Sequence, residues 1–139
     1  MSFREKSAWI SLVLLLGISG IYFRNTARVT AGRMESDEAF RIGVILLVLF
    51  VVLEIVLHVL VAIQSPKEAR SPKDERERLI EMKATTVAFN VLVAGALLSI
   101  AMIRFGWGTY AITQHVLLSV VVAELVKFGG QVAYYRRGA

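Results

Sequence analysis

"RIGVILLVLFVVLEIVLHVLVAIQ" (residues 41–64) decides the fold. From Ile42 to Ile63 its only ionisable side chains are Glu54 and His58. A bilayer core of about 30 Å needs roughly 20 helical residues, and this run supplies them. Three further apolar runs accompany it: "AWISLVLLLGISGIYF" (residues 8–23), "TTVAFNVLVAGALLSIAMI" (85–103) and "WGTYAITQHVLLSVVVAELV" (107–126). A soluble domain of this size would cover more of its surface with polar groups than a chain that is 56% hydrophobic, with a mean hydropathy of +0.63.

Backbone groups in lipid must be satisfied within the segment or within a closed barrel. The runs are continuous rather than alternating, which excludes a barrel. The sequence therefore predicts an all-α integral membrane protein, a single domain of four transmembrane helices. Its spans fall at about 8–23, 39–63, 84–104 and 107–128, with a cytoplasmic loop over 64–83. "MSFREK" with the first run also has the look of a signal peptide, and "VTAG" (29–32) of a weak cleavage site. We read the run as a retained span. The absence of cysteine excludes a disulfide framework, thiolate chemistry and a Cys-based metal site. The net charge of +5 lies beside the spans, where topology explains it, so nucleic acid is not an expected partner.

Eleven of the 16 Lys and Arg fall at the N-terminus, in the middle loop and at the C-terminal end; Arg24, Arg28, Arg33, Arg41 and Arg104 fall on the other side. The positive-inside bias then predicts both termini and the middle loop in the cytoplasm. Trp9, Phe128, Tyr134 and Tyr135 fall at the inner interface, and Tyr22, Phe23, Trp107 and Tyr110 at the outer one.

The loops carry start signals. Ser36 followed by Asp37 and Glu38 predicts an N-cap and a second helix beginning near Asp37. "SPK" occurs twice in the middle loop. Ser71 before Pro72 reads as a cap with proline at the first helical position, so the third helix is expected to begin about Pro72 and run on into its span. "DERERLIEMKATTVAFNVLVAGALLSI" and "MSFREKSAWISL" resemble segments of uncharacterised families of small bacterial predicted membrane proteins, in which a "DERE…LIE.KA" stretch leads directly into a span. The resemblance implies a bacterial inner-membrane protein of about four helices. It implies no activity, substrate or catalytic residue.

The candidate site is the set of polar groups inside the spans: Glu54, His58, Asn90, His115 and Glu124, with Lys127 beside the last. Intramembrane charges cost roughly 2.5–3.5 kcal/mol each on insertion scales and normally face the protein interior or water. At about 1.5 Å per residue, Glu54 lies ~18 Å and His58 ~24 Å from the start of their span, His115 ~12 Å and Glu124 ~25 Å from the start of theirs, and Asn90 ~8 Å inside the third. Glu54 and His58 share one helix face with Gly43, Leu47 and Phe50; His115 and Glu124 point about 180° apart. The fourth span thus has two polar stripes, Thr113, Glu124, Gln131 and Ala111, His115, Ser119. One suits its own chain and the other a partner. Lys83, Thr86, Asn90, Ala94 and Ala101 share a small, polar face of the third span that suits close packing, as does "GISG" in the first.

Three readings of Glu54 stand: a hydrogen-bonded carboxyl that fixes packing, facing His58 or His115; a proton- or cation-handling group; a metal or haem ligand. For Glu124 a pair with Lys127 is expected. The di-metal signature of helical bundles needs Glu-x-x-His on paired helices, whereas the spacing here is i,i+4 and occurs once. His58 and His115 differ in depth by ~12 Å, which argues against paired haem ligation. No cofactor is expected. The overall expectation is a non-enzymatic accessory, regulatory or assembly component, embedded in lipid and associating with itself or another membrane protein. The alternative is a minimal oligomeric proton-coupled transporter or channel that uses Glu54.

Overall fold

The structure, a computed structural model, describes residues 3–137, without the side chains of Glu68 and Ala69. Its regular elements are all helices: α1 (Phe3–Thr30), α2 (Ser36–Gln64), a short α3 (Pro66–Arg70), α4 (Glu75–Arg104) and α5 (Thr109–Arg137). They form two units, Met1–Ser71 and Pro72–Ala139. Each unit is built on a helical hairpin.

In the first unit α1 runs well past its apolar stretch because nothing breaks it before Gly32. The polar turns 24–30 stay helical, with Thr26 and Thr30 hydroxyls donating to the carbonyls of Tyr22 and Thr26. Gly32 then takes the left-handed conformation (φ 67°), with Gly32 N–H donating to Val29 O and Arg33 N–H to Arg28 O. That is a Schellman stop, and glycine adopts it without a Cβ clash. α2 begins one residue before the predicted start. Ser36 is inside the helix, and Glu35 occupies the cap position without a side-chain cap bond, so the expected Ser36 cap is not used.

The α1–α2 seam is read from spacing. Ala8, Ser11, Leu15, Ile18, Tyr22 and Asn25 recur at alternating threes and fours, the stripe of two helices crossing at a shallow angle. Ala8, Ser11 and Asn25 are buried, and Tyr22 meets Gly43 of α2, where an added Cβ would fall 3.0 Å from the ring. On α2 the buried position is Leu46, while Leu47 is exposed, so the stripe expected through Gly43, Leu47 and Phe50 passes through Leu46 instead. The glycines of "GISG" make no close approach: Gly17 and Gly20 have open space around them, and the Ser19 hydroxyl bonds back to the Leu15 carbonyl. The Arg4 side chain donates to the Ser71 carbonyl at 3.1 Å.

The middle segment differs from expectation in two respects: it holds a short helix, and α4 starts later than Pro72. Pro66 of the first "SPK" opens α3, whereas Pro72 of the second precedes α4 without entering it. α4 starts at Glu75 because Asp74 is the better cap. Its carboxylate accepts from Glu75 N–H at 2.8 Å, and the Glu77 side chain accepts from Asp74 N–H, a complete capping box. Ser71 has no Glu or Gln three residues on to close such a box. Lys73 then pairs with Glu81.

In the second unit the helices meet through small residues. Gly95 faces Ser119, Ala84 faces Gly130, and Ser99 meets His115, pairings that nest around the turn at Trp107 as an antiparallel hairpin requires. Gly106 (φ 75°) ends α4 with the same Schellman pattern as Gly32. Ile80, Ala84, Ala88 and Ser99 of α4 and Ala123 of α5 are buried. This face is not the one that sequence favoured. Thr86, Asn90 and Ala94 are exposed and take no part in the α5 contact, Ala101 is half-buried, and Lys83 reaches from the flank of α4 to the Tyr134 ring of α5. Both faces are rich in small residues; the relief of α5 selects the one bearing Ala84, Ala88, Gly95 and Ser99.

Candidate functional site: polar groups within the spans

The five polar residues do not converge on a single point within either hairpin. They resolve into separate arrangements. Glu54 and His58 stand one helical turn apart on α2, where i and i+4 side chains adjoin. His58 Nδ1 lies 2.8 Å from the Glu54 carbonyl oxygen and 2.9 Å from Glu54 Oε2. Both neighbours accept, so Nδ1 is the protonated nitrogen. Its one proton aligns with the carbonyl. Oε2 is left shielded from solvent, in contact with the ring but without an aligned donor. The carboxyl is mostly covered, with 19% of the Glu54 side chain accessible. The expected proximity of Glu54 to a histidine is present, at His58.

His115 is held across the second hairpin. Ser99 Oγ donates to the Gly95 carbonyl at 2.9 Å and lies 2.9 Å from His115 Nδ1. With the Ser99 proton on that carbonyl, Nδ1–H donates to Oγ and fixes the ring. Ser119 donates its hydroxyl to the His115 carbonyl at 2.8 Å and closes against Gly95. Ser99 was not among the residues singled out from sequence. A serine four residues after a glycine in an apolar helix is the signal that locates it.

Glu124 pairs with Lys127 at 2.9 Å, as its i,i+3 spacing suggests, and both side chains are part-exposed. Lys127 also lies 4.9 Å from the ring centroid of Phe128. Asn90 has no such arrangement. It is exposed on α4, and no hydrogen bond reaches its amide among the described residues. Among those residues no group of three or more His, Asp or Glu is placed to hold a metal ion.

Four helices, α1, α2, α4 and α5, are long and apolar enough to cross a membrane, and the exposed Val, Leu and Ile along them suit contact with lipid. The fold is that of an all-helical, multi-pass membrane protein. Residues 4–139 match the model of the family described as "Predicted membrane protein (DUF2178)", and the chain belongs to that family. The resemblance read from the segment around Asp74 thus extends over nearly the whole chain. No curated protein and no solved structure matches it.

Proposed function

We propose that the protein is a non-enzymatic membrane component that works by assembling through helix–helix contacts, with a second copy as its partner. The observation that carries this reading is Asn90. Its amide stands within the apolar part of α4, on the face away from α5, without a partner among the described residues. An unpaired amide in hydrocarbon is costly, and Asn side chains there serve as interhelical glue. An amide both donates and accepts, so two copies of Asn90 satisfy each other across a two-fold axis. Thr86 and Ala94, one turn on either side, are small enough to admit a neighbouring helix. Glu54, His58, His115 and Glu124, by contrast, have contacts within their own hairpins that suit packing. The distribution of Lys and Arg supports cytoplasmic termini, and the resemblance around Asp74 suits a bacterial inner membrane.

The chain has no cysteine, so single-cysteine cross-linking is clean. Thr86→Cys and Ala94→Cys should each give an oxidised dimer in native membranes. Phe89→Cys, about 100° around the helix from Asn90, should remain monomeric. Equal cross-linking at all three positions, or none at any, refutes the reading.

A second reading rests on Glu54 Oε2, a shielded acceptor beside a histidine and without an aligned donor. Such an atom suits proton handling in a minimal oligomeric transporter or channel. In proteoliposomes with a pH gradient, a proton flux that Glu54→Gln abolishes would favour it; no flux from wild-type protein removes it.

A further inference from the structure

At the end of the second hairpin formed by the start of α4 and the end of α5, the helices leave a cavity of about 200 Å³. Residue size makes it: Ala84, Gly130 and Ala133 stand where larger side chains would close the gap. Val87, Val126 and Tyr134 complete apolar walls, and Arg137 stands in the lining. Water does not suit it. A water occupies about 30 Å³ and needs two to four polar partners, which these walls do not supply. Val87 and Ala133 are exposed, so the cavity opens at the protein surface.

Charge selects the occupant. Among the described residues the Arg137 guanidinium has no ionic partner. Lys83 Nζ lies 5.8 Å from the ring centroid of Tyr134, one of the lining residues. The neighbouring acids of α4 are engaged elsewhere, Glu77 in the capping box and Glu81 with Lys73. An apolar slot with two cations at its rim therefore stands just where α4 enters its apolar run. We propose that this cavity binds an anionic phospholipid, with an acyl chain against Val87, Gly130 and Ala133 and the phosphate held by Arg137 and Lys83. A zwitterionic headgroup would set its own cation against these two. A soluble phosphate would leave the slot empty. The planar fork of arginine matches phosphate oxygens, and basic pockets between spans near the interface recruit anionic headgroups.

The test is lipid retention by the purified full chain, counted by native mass spectrometry during titration with phosphatidylglycerol or phosphatidylcholine. Wild-type protein should retain phosphatidylglycerol preferentially. Arg137→Gln should lower that preference about five-fold, the effect of one interfacial cation. Ala133→Leu should abolish retention by filling the slot; Ala133 is exposed, so the substitution leaves the α4–α5 seam intact. Val87→Phe fills the slot from the other helix and should act alike, which separates occlusion from misfolding. Arg33→Gln, in the turn between α1 and α2, should change nothing. Equal retention of the two lipids by wild-type protein, unchanged retention in both slot-filling variants, or displacement of the lipid by inorganic phosphate would overturn the proposal.

Discussion

The two hairpins invert the usual relation between hydrophobicity and packing. α2 has the most apolar window of the four spans, with a mean hydropathy of 3.2, yet Leu46 is its one buried residue among those described. α4 and α5 reach only 2.2 and 1.7. They nevertheless meet closely, through Ala84, Gly95 and Ser99 on one side and His115, Ser119 and Gly130 on the other. In water the more apolar pair would be the better packed. In lipid the surroundings are as apolar as leucine, so association comes from close approach and interhelical hydrogen bonds. α2 matches its lipid; α4 and α5 match each other.

Substitution of the glycines should break this contrast most sharply. At Gly95 an added Cβ would fall 2.5 Å from Ser119 Cβ, whereas Gly20 has nothing within 4 Å. Gly95→Leu should therefore destabilise the detergent-solubilised protein by about 1–3 kcal/mol, read by circular dichroism during denaturant unfolding. Gly20→Leu should stay within about 0.5 kcal/mol of wild type. Equal losses would mean that the two hairpins pack alike. Next in size, Asp74→Ala removes the α4 cap at a cost of about 1 kcal/mol. Hydrogen exchange should accelerate in the first turn of α4 and remain unchanged within the spans. Ser99→Ala is smaller, about 0.6 kcal/mol, the average for an interhelical bond in lipid. A double-mutant cycle with His115→Ala should return that coupling, and a coupling of zero would remove the Ser99–His115 bond from the account.

The sequence made the spans legible because apolar length is a one-dimensional property. It also located the Glu54–His58 and Glu124–Lys127 neighbours, since both lie within one helical turn. It did not reveal which face of α4 packs. Thr86, Asn90 and Ala94 look as suitable as Ala84, Ala88 and Gly95 until Ser119, Ala123 and Gly130 are set opposite them, and that register is a property of two helices together. The extension of α1 to Thr30 was missed for a different reason. Polar residues suggested a loop, but no residue between Arg24 and Thr30 breaks a helix, and the first stop is Gly32. Competing caps moved the start of α4: Ser71 with Pro72 is a fair signal, and Asp74 with Glu77 a stronger one.

The face of α4 left over by the α4–α5 contact carries the functional reading, and Asn90→Leu addresses it directly. The mass of the assembly would be measured in lipid bilayers for wild type, Asn90→Leu and Ser99→Ala as protein is diluted into lipid. Wild type and Ser99→Ala should remain dimeric to similar dilution, while Asn90→Leu becomes monomeric at a concentration where they do not. A wild type that is monomeric throughout, or an Asn90→Leu variant that dissociates with wild type, would contradict assembly through this face.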